Sequence, residues 1–194
     1  MMRRVCVFCG SSEGARPEYR AAAEQVGVQL AERGIELVYG GGKVGLMGAV
    51  ADGCLNAGGR VIGVIPQGLM DREVGHAGLT ELRVVGSMHE RKALMADMAE
   101  GFLCLPGGYG TWDEFCEILT WAQLGLHTHA CGLLNVKGYY DPLLAMADRA
   151  RDEGFVREEY RGLMLADEDA GRLLDKMAEY VSPVGGRWGV VVER

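Results

Sequence analysis

Gly101-Phe102-Leu103-Cys104-Leu105 is an apolar run that passes straight into Pro106-Gly107-Gly108-Tyr109-Gly110-Thr111-Trp112-Asp113-Glu114, and from there into Phe115-Cys116-Glu117-Ile118-Leu119-Thr120-Trp121-Ala122. The first piece reads as a strand buried in a parallel sheet, the last as a helix with an apolar period. A strand delivered into a helix through glycines leaves main-chain N–H groups bare at the positive end of the helix dipole, which makes an anion site. Thr111 can add a hydroxyl there, and Glu114 stands one turn further on, beside whatever the anion carries. The same letters also spell a capping box, Thr111-x-x-Glu114, in which both side chains serve the helix start. Spacing leaves cap and catalyst both open. A Walker A loop is excluded, because no Gly-Lys-Ser/Thr follows.

The rest of the chain repeats the unit. Strands are expected at Arg4–Cys9, Glu36–Tyr39, Arg60–Ile65, Glu81–Val85, Gly101–Leu105, Cys131–Val136 and Leu163–Ala166. Helices are expected to open at Pro17, after Gly48, at Ser87, at Thr111, at Asp141-Pro142 and at Asp167. The stretch 67–78 reads as a polar loop over the sheet edge. Such alternation, with right-handed crossovers, predicts an α/β fold: a Rossmann-like, doubly wound parallel sheet with helices on both faces. One domain over 1–182 and a C-terminal tail over 183–194, with a hinge at Pro183-Val184-Gly185-Gly186, account for all 194 residues. Ligands of such sheets bind beyond the carboxyl ends of the strands, where strand order switches. The glycine loops after the first, second and fifth strands are expected to face that edge.

A net charge of −7 argues against a nucleic-acid backbone or an anionic membrane as the main partner, while a small phosphorylated ligand needs only a local positive site. Most of the six cysteines lie in apolar runs, as buried thiols of a reducing cytosol do. Cys6-x-x-Cys9 has redox or zinc spacing, but Cys6 falls inside a strand and no second pair or histidine follows. No signal peptide and no membrane span are legible, and a cytoplasmic location follows as the expectation.

Gly40-x-Gly42-x-x-Gly45 matches the dinucleotide pattern, yet it follows the second strand and no acidic residue ends the next one. Lys43 and the glycines that follow it are expected to shape the pocket wall instead. Ser87-Met88-His89-Glu90-Arg91-Lys92 is more telling. Ser87-x-x-Glu90 is a capping box, so Arg91 and Lys92 fall near the positive end of a helix, disfavoured there by a few tenths to about 1 kcal/mol. Broken local rules concentrate at functional sites. If the strands before this helix and before the glycine turn are neighbours, Arg91 meets Glu114 at one sheet edge.

Together, Gly40-Gly41-Gly42-x-x-Gly45-Leu46-Met47-Gly48, Met88-His89-x-Arg91-Lys92, Pro106-Gly107-Gly108-Tyr109-Gly110-Thr111-x-x-Glu114, Trp121-Ala122-Gln123-Leu124-Gly125 and Leu134-Asn135-Val136-x-Gly138-Tyr139-Tyr140 resemble the Lonely Guy (LOG) family over about 5–155. Members were long labelled lysine decarboxylases. The resemblance implies a cytokinin riboside 5′-monophosphate phosphoribohydrolase, which cleaves the N-glycosidic bond of N6-substituted or plain AMP to free base and ribose 5-phosphate. It further implies phosphate on Gly108 to Thr111, catalysis by Arg91 and Glu114, and substrate contacts from Glu73, Met88, Lys92, Gly107, Tyr109 and Thr120, with no metal and no cofactor. Trp112, Asp113 and Asp71 depart from the family's usual leucine, glutamate and proline, and Asp71 weakens the Glu73 assignment. A pyridoxal phosphate decarboxylase needs a Schiff-base lysine in an apolar pocket, which neither Lys43 nor Lys92 has from its neighbours. A nucleotide or molybdenum-cofactor carrier of the same fold is the other reading, against which the joint presence of Arg91 and Glu114 speaks. Apolar residues on the two site helices (Met88, Leu94, Met95, Met98, Phe115, Ile118, Leu119, Trp121, Leu124) exceed what one sheet face needs. They predict a homodimer or a higher even oligomer.

Overall fold

The computed structural model describes residues 2–70 and 75–184. Strands β1 (Arg4–Phe8), β2 (Glu36–Tyr39), β3 (Val61–Pro66), β4 (Glu81–Val85), β5 (Gly101–Cys104), β6 (Ala130–Leu134) and β7 (Met164–Asp167) form one sheet in the order β4-β3-β2-β1-β5-β6-β7. Every pairing is parallel. Helices α1 (Pro17–Glu32), α2 (Gly45–Asn56), α3 (Gln67–Met70), α4 (Met88–Met98), α5 (Tyr109–Gln123), α6 (Asp141–Asp152), α7 (Glu158–Arg161) and α8 (Ala170–Glu179) connect them.

The doubly wound arrangement follows from two-residue alternation within the strands. Val5 and Val7 of β1 and Leu37 and Tyr39 of β2 point into one core with residues of α1, α2 and α8. Cys6, Phe8 and Val38 point into the opposite core, which holds Met95 of α4 and Phe115 and Ile118 of α5. Both faces of the central strands are therefore buried, which is why they read as continuous apolar runs.

Strand order departs from the expectation at one consequential place. β4 and β5 are not neighbours; β3, β2 and β1 lie between them. β4 is an edge strand, and α4 returns from it across β3, β2 and β1. The direction of winding therefore reverses between β1 and β5, and the residues after both strands meet at that reversal: Leu105 N donates to Phe8 O at 2.9 Å and Gly10 N to Pro106 O at 3.0 Å.

Several element boundaries also differ. α3 occupies the start of the expected loop over 67–78, and Gly75 bridges back to Gly42. α5 begins at Tyr109, two residues before the expected Thr111, with Gly108 at the N-cap and no side-chain cap. Val184, in the expected tail, is buried in the second core. Residues 185–194 of that tail, with Gly185, Gly186 and Trp188, and the residues Asp71, Arg72, Glu73 and Val74 lie outside the described residues.

Candidate functional site

At the β1/β5 reversal the carboxyl ends of the strands open into a cleft of about 290 Å³. Its floor is Phe8 to Ser11, one wall is Gly108 to Thr111, and the other holds Arg91 with Met47, Met88 and Met95.

The glycine turn is not capped by a side chain. Because Gly108 is the N-cap, Thr111 lies inside the first turn of α5, and its side chain points back at the glycines: a Cβ on Gly107 would lie 2.2 Å from Thr111 Oγ1. The Thr111 capping box does not form, and Glu114 is left free of cap duty. At Ser87 the box does form in essence. Ser87 Oγ accepts from Glu90 N at 3.1 Å, and Glu90 Oε2 accepts from Gly86 N at 2.7 Å.

Behind the turn, two adjacent tyrosines hold it in place. Tyr140 Oη donates to Leu105 O at 2.6 Å, and the Tyr139 hydroxyl donates to Gly107 O. Tyr140 is itself placed by Asn135, whose Oδ1 accepts from Tyr140 N at 2.7 Å. These bonds span from β5 to the loop after β6 and fix the carbonyl side of the turn.

Arg91 is clamped in the opposite wall. Its Nε donates to Val64 O at 3.1 Å and its Nη2 to Gly40 O at 3.3 Å. Nη1 lies 3.5 Å from Glu114 Oε1, with the side chains 11% and 13% exposed. Burial raises the Glu114 carboxyl above the usual glutamate range, and the opposing pull of Arg91 and Lys92 does not cancel it. Cys9, also in the cleft, is pushed well above the ordinary thiol range by burial and then by the Glu114 charge, so it stays a neutral thiol.

The expected residues divide clearly. Arg91, Glu114, Met88, Gly108, Tyr109, Gly110 and Thr111 line one cleft. Gly107 lies just behind it. Lys92 turns to the outer side of α4 and α5, where Nζ meets Asp113 Oδ2 at 2.6 Å and Glu117 Oε2 at 3.2 Å. Thr120 is exposed further along α5, its hydroxyl donating to Cys116 O at 2.7 Å. Lys43 is exposed and does not line the wall, and Glu73 is outside the described residues. Of the apolar residues counted towards an interface, Met95, Phe115 and Ile118 belong to the monomer core, while Met88 and Leu124 are exposed, as is Trp112. Cleft residues that the sequence reading passed over include Ser11, Met47, Leu69 and Gly40. Ser11 could have been found: it follows the strand next to the reversal.

Fold and site together define a doubly wound α/β protein with a switch-point cleft, a helix N-terminus for an anion and a buried arginine–glutamate pair. The family model described as "Possible lysine decarboxylase" matches residues 47–177. The chain is 55% identical to the probable cytokinin riboside 5′-monophosphate phosphoribohydrolase LOGL5 of Oryza sativa subsp. japonica over 93% of its own length and 74% of that protein's. It is 51% identical to the cytokinin riboside 5′-monophosphate phosphoribohydrolase LOG of the same organism, over 92% and 74%. The chain belongs to the LOG family. Its fold also matches the molybdenum cofactor binding protein of Rippkaea orientalis, with a TM-score of 0.69 and 20% identity over 92% of this chain and 97% of that one.

Proposed function

We propose that this chain is a hydrolase that cleaves the N-glycosidic bond of adenosine 5′-monophosphates, plain or N6-substituted, to free base and ribose 5-phosphate. The observation that carries the reading is the placement of Glu114, beside Arg91 and one turn into the helix whose bare N-terminus faces the same cleft. The first-turn N–H groups of α5, with Thr111, hold the 5′-phosphate. That anchor places the ribose towards Glu114. Departure of the base builds positive charge on the sugar, and the carboxylate stabilises it or activates the incoming water. Water adds to the sugar carbon as the C–N bond breaks, and the base leaves with its electron pair and a proton. A guanidinium is a poor general acid; Arg91 orients Glu114 and neutralises charge at the site. Met47 and Met88 offer the base an adaptable apolar wall.

Lys92 supports substrate affinity at one remove, by holding α4 to α5, and Thr120 reaches a substrate only across a subunit boundary. We assign Glu73 to substrate binding on family resemblance alone. A homodimer pairing the exposed Met88, Trp112 and Leu124 surfaces fits this arrangement, with light scattering near 42 kDa instead of the 21.0 kDa of one chain as its check. Among the described residues no helix is long and apolar enough to cross a membrane, in keeping with a cytosolic enzyme. A Schiff-base decarboxylase is disfavoured because no lysine lines the cleft among the described residues. Lys92 in particular stays an ammonium: burial would lower its pKa, but its hydrogen bonds to Asp113 and Glu117 prevail and raise it.

Incubation with AMP, N6-isopentenyl-AMP and adenosine tests the reading. Free base and ribose 5-phosphate are expected from the two nucleotides and little from adenosine. Equal rates on adenosine and AMP would remove the phosphate role of the glycine turn, and absence of base from either nucleotide would remove the activity.

A further inference from the structure

Gly40, the residue after β2, has a role that its place in a glycine-rich loop conceals. A Cβ built on it would lie 1.9 Å from Arg91 Nη2 and 3.2 Å from both Arg91 Cζ and Met47 Sδ. The space a side chain would take is filled by the guanidinium, and the Gly40 carbonyl accepts that guanidinium's hydrogen bond at 3.3 Å. Neighbouring glycines are required for other reasons. Gly41 and Gly45 have φ of +77° and +61°, and a Cβ on Gly45 would strike the Ser11 backbone at 2.3 Å. Gly40 is not in that left-handed region, so its backbone accepts an alanine. What collides is the far end of a long side chain, which can swing away.

We propose that Gly40 is a positioning residue: its missing side chain is the seat that holds Arg91 against Glu114. The inference rests on the reading of Arg91 and Glu114 as the catalytic pair and adds the element that sets their geometry. With a methyl in the seat, Nη2 cannot keep its bond to Gly40 O, and Nη1 moves with it relative to Glu114, since the guanidinium is planar and rigid. Folding continues, because the displaced group can reach the open cleft, whereas turnover suffers from a misplacement of about an ångström.

The test is a double-mutant cycle of Gly40→Ala and Arg91→Ala, each protein read by end-point release of base from AMP and by thermal melting. Gly40→Ala alone is expected to lower kcat/KM by about a hundredfold, chiefly through kcat, with the melting temperature little changed. In the Arg91→Ala background the same methyl enters vacated space. It should then leave residual turnover unchanged and leave melting unchanged or slightly raised, as a glycine-to-alanine change does where φ permits. Wild-type turnover by Gly40→Ala overturns the proposal. So does an equal penalty in both backgrounds, which would assign the missing side chain to Met47 and packing. Should the parent protein release no base from any nucleotide, the functional reading fails, while the position of the guanidinium in a crystal structure of Gly40→Ala still decides the seat: a guanidinium still bonded to Gly40 O overturns it.

Discussion

Two ion pairs join α4 to α5 one residue apart, and they are built to opposite ends. Arg91 and Glu114 face inward. Their nearest atoms are 3.5 Å apart, both side chains are nearly buried, and the carboxyl is raised by burial in spite of its partner. Lys92 and Asp113 face outward, at 2.6 Å, with Asp113 63% exposed and Glu117 as a second acceptor. The outer pair is short and satisfied, and water screens it; such pairs add little beyond holding two elements together. The inner pair is looser and more costly, and much of what Arg91 bonds to is main chain, Val64 O and Gly40 O. Its carboxylate is spent on neither a cap nor a short hydrogen bond. The difference between a site and a tie here lies in which groups are left unsatisfied towards the cleft.

The largest break in that comparison should come from Glu114→Gln, which keeps the shape and removes the charge. Turnover is expected to fall roughly a hundredfold or more, measured as kcat on AMP. Stability should not follow. A carboxyl whose folded pKa is raised favours the fold below its unfolded pKa of about 4.3, and that contribution is lost as pH rises through the folded value. The amide avoids the loss, so at neutral pH the variant should melt no lower than the parent, by calorimetry. A sharp drop in melting temperature with turnover intact would make the inner pair a tie like the outer one.

Next in size is the pH profile. If Glu114 acts as the carboxylate, kcat/KM must rise as pH increases through its raised pKa. The acid limb of the parent should therefore lie above the ordinary glutamate range and vanish from the residual activity of Glu114→Gln. A limb at about 4.3, or one that survives in the variant, counts against that role.

Tyr139→Phe probes the support behind the turn. Loss of the hydroxyl frees Gly107 O, and KM for AMP should rise severalfold, on the order of tenfold. The rate on adenosine, which has no phosphate to seat, should stay put. Equal effects on both substrates would make the tyrosine mere packing.

Smallest is Lys92→Met. Its ammonium serves one exposed and one half-buried carboxylate, so the stability cost should be about 1 kcal/mol or less by urea unfolding, and KM for AMP should shift by no more than about threefold. A change in kcat as large as that of Glu114→Gln would erase the distinction between the two pairs.

Much of this was legible in the letters, for physical reasons that also mark where legibility ended. Buried strands announce themselves as apolar runs, and the glycines after β1, β2 and β5 were placed at one edge because parallel sheets put such loops there. Arg91 meets Glu114 as expected, but by another route. The expected adjacency of β4 and β5 is replaced by a helix that crosses three strands. Handedness rules constrain each crossover without saying to which edge the next strand is added. The Thr111 box failed because capping depends on backbone angles: with Gly108 extended at φ −95°, the helix starts early and takes Thr111 inside. Lys43 points to solvent, a matter of side-chain direction in an irregular loop that no periodicity reports. The Tyr139 and Tyr140 bonds to Gly107 and Leu105 link residues more than thirty positions apart, and nothing local in either stretch announces them.

The return of α4 from the edge has a consequence for how the molecule comes apart. β4 is the least buried strand on its side of the sheet and pairs with β3 alone. Regions with few buried contacts open at lower free energy than the core. Arg91 lies in the first turn of the helix that follows this strand, so fraying of the edge loosens the helix start and pulls on the guanidinium's bonds to Val64 O and Gly40 O, while Glu114, anchored behind β5 at the centre, stays where it is. Under rising denaturant the protein should thus fall silent before it unfolds, with most of its sheet intact and half of its ion pair gone.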